Sequence, residues 1–264
     1  MADQSANIVC WLLVVTIIVV GGCEQEYKEE PVAYNPLADA NLVAPDYASR
    51  AIEAVGGRQA WVKAEKLEFE CVVTFYRPDD SFYLTEQRHE IHPSMNSIRI
   101  SAEEPQGKFV CELSEGRFRV LEEAELLDAL QPMAVNRCFA EAVLCIATAP
   151  VRFLDGPVEF IWSSELAKIE GRWYYSIERT SIDKRGIWPR AVFYQDRDSS
   201  LVDMIWFADV CEEKFLAVRG YDYTEVGKGG ILVPTKIDMF SASASGALGR
   251  RLVEVHYYAI RAVD

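Results

Sequence analysis

The sequence predicts a mainly β (α+β) protein, built as an antiparallel meander with a helical opening and one helical insert. Three observations carry this. Arg190 to Val210, RAVFYQDRDSSLVDMIWFADV, reads as a β-hairpin: Ala191, Phe193 and Gln195 fall on one face, Val192 and Tyr194 on the other, and DRDSS turns the chain. Similar strands precede and follow it, joined by short turns such as Glu170-Gly171 and Gly227-Lys228-Gly229-Gly230, which favours antiparallel order. Between Glu122 and Thr148 strand character gives way to helical spacing.

The 264 residues are 50% hydrophobic and 26% charged, enough for one large β domain with a packed core. A net charge of −14 serves solubility and argues against nucleic acid, which requires a Lys/Arg footprint. It argues equally against adsorption to anionic headgroups.

Along the chain, Ile8 to Val20 is an apolar run without charge, too short to span a bilayer and of the length of a signal-peptide core. Residues 23–45 are acidic, carry Pro31, Pro36 and Pro45, and read as a tether. The folded domain is expected over 46–264. Asp46 is the expected N-cap of a first helix with Tyr47, Ala51 and Val55 at helical spacing, and Gly56-Gly57 ends it. Arg58 to Glu65 forms a second helix. Lys66 to Arg77 alternates, with Leu67, Phe69, Cys71, Val73 and Phe75 on the buried face. Ser81–His92, Ser97–Ser101, Lys108–Leu113 and Phe118–Val120 follow as strands.

Glu122–Leu130 and Met133–Thr148 are expected as two helices separated by Pro132, the second with an apolar stripe of Val135, Cys138, Ala142, Cys145 and Ile146. Strands resume at Val158–Trp162, Arg172–Thr180, Ala191–Gln195, Leu201–Phe207, Lys214–Tyr223, Ile231–Phe240 and Arg251–Arg261.

Two resemblances sharpen this reading. Val20-Gly21-Gly22-Cys23 resembles the lipobox of bacterial lipoproteins, which implies a signal peptide over 1–22 and lipidation of Cys23. The n-region, MADQSAN, departs from the pattern in having no Lys or Arg. Glu24 instead of Asp after the cysteine leans toward the outer membrane. AIEAVGGRQAWVKAEKLEFE, FYQDRDSSLVDMI and YDYTEVGKGGILVPTKIDMF, in that order, resemble lipoproteins of the LolA/LolB-like superfamily. That resemblance implies a curved, incompletely closed antiparallel barrel with helices covering its concave face and a hydrophobic cavity between them. It also implies an envelope protein facing the periplasm, with a lipid or acylated protein as ligand and the membrane reached through the N-terminal anchor.

The chemistry-bearing residues nominate no active site. In His89-Glu90-Ile91-His92 the two histidines are three apart on a strand, so they point to opposite faces and read as exposed edge residues, not metal ligands. Asp196-x-Asp198-x-Ser200 opens like a calcium loop, but Leu201 and Phe207 stand where Gly and Glu are required. SASASG at 241–246 is a loop, and no nucleophile elbow, P-loop or dinucleotide fingerprint occurs.

After signal removal Cys71, Cys111, Cys138, Cys145 and Cys211 remain besides Cys23. Cys138 and Cys145 lie too far apart on a helix to bridge, and Cys71 and Cys111 read as small buried hydrophobes.

Trp173, Tyr175 and Ile177 share one face. Together with Phe69, Cys71, Val73 and the stripe Val135, Cys138, Ala142, Cys145, Ile146 they are the expected lining of a ligand cavity, or equally a packed core. The expected function is non-enzymatic and without cofactor: binding an acyl chain. A scaffold or sensor that binds a protein partner is the alternative.

Overall fold

A computed structural model describes residues 46–102, 109–123, 137–153, 158–181, 190–210 and 213–263. The chain divides into two compact units, Met1–Ala33 and Tyr34–Asp264. Every described residue belongs to the second, and the signal and tether lie outside the described residues.

Two helices open the unit, α1 (Asp46–Ala54) and α2 (Arg58–Lys63). Asp46 is the first helical residue, not the cap before it, and pairs with Arg50 one turn on at 3.2 Å. The helix stops because Gly56 and Gly57 take φ of 102° and 80°, and the Gly57 amide donates back to the Ile52 carbonyl at 2.9 Å. Gly56 is also a close approach: a Cβ there would clash with the Gly230 carbonyl oxygen. In α2, Trp61 is fully buried and its indole donates to the Val55 carbonyl.

Twelve strands follow: β1 (Lys66–Tyr76), β2 (Phe82–His92), β3 (Ser97–Ala102), β4 (Phe109–Ser114), β5 (Arg117–Glu123), β6 (Val158–Ile169), β7 (Arg172–Ser181), β8 (Arg190–Asp196), β9 (Val202–Val210), β10 (Glu213–Val226), β11 (Ile231–Ala242) and β12 (Leu248–Val263). Between β5 and β6 lie α3 (Arg137–Ala147) and α4 (Ala149–Arg152).

All pairs are antiparallel and the sheet order is β5-β4-β3-β2-β1-β12-β11-β10-β9-β8-β7-β6. Every strand neighbours its sequence neighbours except β5 and β6, which form the two edges, and β1 pairs with β12. The meander is therefore an up-and-down antiparallel sheet, not closed into a barrel, with β5 and β6 as its two edges and α3 and α4 between them in sequence. This is the fold class the sequence predicts.

Several boundaries differ from expectation. Glu122 and Glu123 end β5 instead of starting a helix, because the ladder to β4 runs on to the Phe109–Glu123 pair after a register shift. The rest of that expected helix lies outside the described residues. β6 is twelve residues long, reaching Ile169, because an irregularity between Trp162 and Leu166 lets the ladder resume past Ser163-Ser164-Glu165.

The core lies between the helices and one face of the sheet, called the inner face here. β1 alternates along its whole length, with Leu67, Phe69, Cys71, Val73 and Phe75 at 0–2% exposure. α3 is buried at every position from Cys138 to Ala147, so it is a core helix and not a surface amphipath. Its Phe139 meets the rings of Phe75 and His89 at 5.5 and 5.9 Å.

Candidate functional site

One cross-strand row shows how far the helices cover the inner face. Residues paired in an antiparallel ladder point the same way. The row runs Tyr83, Phe75, Val253, Met239, Val218, Ile205, Phe193, Ile177, Trp162, from β2 across to β6. Its members from Phe75 to Ile177 are essentially inaccessible, whereas Trp162 at the end is 39% exposed. The next row, Val202, Gln195, Tyr175, Leu166, ends with Leu166 at 37%. Trp173, one step further along β7 on the same face, is 40% exposed.

The Trp162 and Tyr175 rings are 5.6 Å apart, and the Lys168 ammonium sits 5.4 Å from the Trp173 ring. The inner face thus passes continuously from packed core to an open aromatic shelf at the β6 edge. Phe153, just after α4, marks the border, with ring contacts to Tyr47, Phe160 and Phe193 at 5.2–5.6 Å.

The expected cavity residues therefore separate into two groups. Phe69, Cys71, Val73, Cys138, Ala142, Cys145 and Ile146 are all in one continuous core cluster. Trp173 and Tyr175 stand outside it, on the shelf. Val135 and Cys23 lie outside the described residues.

Cys138 is disulfide-bonded, which the sequence reading did not anticipate. Cys71, Cys111 and Cys145 carry thiols, so the partner of Cys138 is not among the described residues, and the expected absence of a Cys138–Cys145 bridge holds.

The histidine reading needs correction. His89 is fully buried on the inner face, not exposed at an edge. Its Nε2 donates to Gln87 Oε1 at 2.9 Å, its Nδ1 accepts from the Tyr257 hydroxyl at 3.2 Å, and Gln87 Nε2 donates on to Thr85 Oγ1 at 2.8 Å. One donor and one acceptor are what a neutral imidazole offers, and burial pushes His89 down to about 3. Cys71 Sγ is 3.6 Å from His89 Nε2. Burial drives that thiol well above its ordinary range, so both partners are neutral and the pair is no thiolate–imidazolium nucleophile. His92, three residues on, points the other way, as expected.

Two further buried acids were missed. Glu141 on α3 is 6% exposed; burial pushes its carboxyl up to about 8, against the pull of Arg137, whose Nε is 3.4 Å away, and of Arg179. Arg137 also donates to the Gly116 carbonyl at 2.8 Å, tying α3 to the β4–β5 turn.

On the outer face Asp203 occupies an irregularity in β9, so that it meets Arg172 at 2.7 Å and the Tyr174 hydroxyl at 3.4 Å. Burial raises it to about 6. Arg219 donates to Tyr174 and pairs with Glu170.

The outer face also carries an open groove of about 290 Å³, floored by Val192, Tyr194 and Trp206 and rimmed by Arg190, Glu178 and Ser245. Trp206 therefore belongs to the outer face; its indole donates to the Ser243 carbonyl.

Asp196 behaves as a turn residue: its Oδ1 accepts from the amides of Asp198 and Ser199. Among the described residues no cluster of His, Cys, Asp and Glu could hold a metal, and no helix is long and apolar enough to cross a membrane.

No family model and no curated protein matches the sequence. Solved structures do match the fold. A LolA superfamily protein from Nitrosomonas europaea superposes with a TM-score of 0.52 at 14% identity, over 84% of this chain and 95% of that one. A DUF1329 family protein from Desulfovibrio piger gives 0.48 at 10% identity, over 82% and 91%. The LolA-like fold expected from the three sequence stretches is the fold observed. At such identities the likeness establishes architecture only.

Proposed function

We propose that this chain is a non-enzymatic lipoprotein of the cell envelope, anchored through Cys23, that holds an acyl chain of a lipid or of an acylated protein against the inner face of its open half-barrel. One observation carries the reading. Two inner-face rows end at the β6 edge in Trp162 and Leu166, and the next passes through Trp173 on β7 to Lys168 on β6; Trp162, Leu166 and Trp173 are each more than a third exposed and adjoin the core. An apolar shelf with the Lys168 ammonium beside Trp173 suits a ligand with a long hydrocarbon tail and an anionic or polar head.

The LolA-like fold supports the reading by analogy. The apolar run over 8–20 followed by Gly21-Gly22-Cys23 supports export and lipidation, with the domain facing the periplasm and Glu24 favouring the outer membrane.

A second reading is favoured by the edge itself. β6 exposes Ile161 at 58% as well as Trp162 and Leu166, and an apolar edge strand is a template for an extended peptide. The chain would then be a scaffold or sensor for a protein partner.

Native mass spectrometry of the purified chain separates the two. Co-purified adducts of phospholipid or fatty-acid mass are expected. An adduct-free chain that also takes up no added fatty acid would remove the acyl reading and leave the peptide one.

A further inference from the structure

The outer face carries a concavity that acyl binding leaves unused. The groove floored by Val192, Tyr194 and Trp206 continues past Ala167 into an adjoining cleft of about 470 Å³, which ends at the β6–β7 turn with Ile169 and Glu170. Ala167 and Tyr194 line both, so the two form one groove. The β11–β12 turn overhangs it: Ser245 and Gly246 also line both parts, and the Trp206–Ser243 bond holds the turn in place. Its size is that of a small-ligand cleft.

The lining is selective. Tyr194 and Ser176 are cross-strand neighbours on this face, and neither hydroxyl has a hydrogen-bond partner among the described residues. Ser163 and Ser245 add two more hydroxyls, and a hydroxyl both donates and accepts. Charge is largely cancelled. Arg190 pairs with Glu178 at 2.7 Å, and Glu170 at the far end pairs with Arg219.

These features exclude several occupants. A hydrocarbon would strip water from the hydroxyls and leave them unpaired. An anion would meet the Glu178 carboxylate beside Arg190 and Glu170 beyond Lys168. The backbone beneath the groove is bonded within the β6–β9 ladders, so an extended peptide finds no strand partner there. A neutral ligand with hydroxyls of both senses around apolar C–H faces meets the hydroxyls with its own and Val192 and Ile169 with its ring.

We propose that the outer-face groove is a saccharide site, which takes a neutral oligosaccharide between the sheet and the β11–β12 turn and anchors it on the Tyr194 and Ser176 hydroxyls. It is separate from the inner-face shelf and does not rest on the acyl reading.

Saturation-transfer NMR on the full chain tests this, with chitotriose, an N-acetylated amino-sugar oligomer, and separately with maltotriose, a plain glucose oligomer. Saturable binding of at least one is expected. It is weakened about tenfold or more in Tyr194→Phe/Ser176→Ala, which removes only the two hydroxyls. It is lost in Ala167→Trp, which fills the stretch common to both parts of the groove. Preference for chitotriose supports the site with an amino-sugar glycan as its source, and preference for maltotriose supports it with a plain glucan. No saturable binding of either sugar would overturn the proposal. So would binding that is indifferent to Tyr194→Phe/Ser176→Ala, which would seat the sugar elsewhere. If Ala167→Trp fails to fold, the hydroxyl variant decides alone. No arm uses a lipid, so this outcome is independent of the acyl-binding test.

Discussion

Replacing His89 is the most informative stability experiment, because the sequence and the structure predict opposite results. As an exposed edge residue it would tolerate Ala within about 0.5 kcal/mol. In the structure it is inaccessible, packed against Phe139 and Tyr257 rings at 5.9 and 5.7 Å and bonded on both ring nitrogens. Truncating a buried ring costs about 3–5 kcal/mol, and the stranded Gln87 and Tyr257 groups add about 1 kcal/mol or more.

His89→Gln is the finer probe, since it keeps an amide in place and removes the titration. The wild-type imidazole drops from 6.5 unfolded to about 3 folded. Between those values the unfolded chain binds a proton that the folded chain does not. Stability therefore rises with pH through that window, by at most about 1.4 kcal/mol per pH unit. Sign and window follow: the His89 contribution is complete above pH 6.5 and is lost progressively as pH falls toward 3. His89→Gln lacks it, so the variant should be clearly less stable at pH 7 and converge on the wild type toward pH 4. Urea unfolding of both proteins at several pH values measures the gap. A gap that is small at pH 7, or constant with pH, would refute the buried-neutral assignment.

Other expectations follow from the same structure. Glu141 is protonated more readily folded than unfolded, 8 against 4.5, so it favours the fold at low pH and this is lost as pH rises toward 8; Glu141→Gln should flatten that decline, gaining on the wild type by on the order of 1–3 kcal/mol at pH 8 and little at pH 5. Ala142 is fully buried in the core, so Ala142→Leu should cost about 1–3 kcal/mol by overpacking; an unchanged unfolding midpoint would mean there is open space beneath α3. Cys23→Ala should abolish incorporation of labelled fatty acid and release the protein from membranes, and full labelling of the variant would remove the anchor.

The strands with clean alternation were legible in the sequence. β1 puts large apolar residues on one face and mostly polar ones on the other, while the β8–β9 hairpin is apolar on both faces and shows through its aromatic and β-branched residues and the DRDSS turn. β2 was placed as a strand, but His89 was misread as exposed because the strand's inner face carries Thr85, Gln87 and His89. Their burial depends on Tyr257, 168 residues away, and on α3 overhead; no window of sequence contains either.

The extension of β6 past Trp162 hid behind Ser163-Ser164-Glu165, which reads as a turn and is an irregularity within a ladder. Trp173 and Tyr175 were placed on the correct face. Their exposure was not legible, because it depends on where the helical cover stops, which is a property of the border at Phe153. The Cys138 disulfide was invisible for the same reason: thiol pairing is set by tertiary distance, not by spacing along the chain.

The central claim is that the shelf at the β6 edge is an acyl-chain site. Titration of the full chain with a fluorescent long-chain fatty acid, read by energy transfer from tryptophan, tests it most directly. Saturable binding is expected, weakened about tenfold or more, about 1.4 kcal/mol, by Trp162→Ala/Trp173→Ala. No saturable binding, or binding indifferent to both tryptophans, would contradict it.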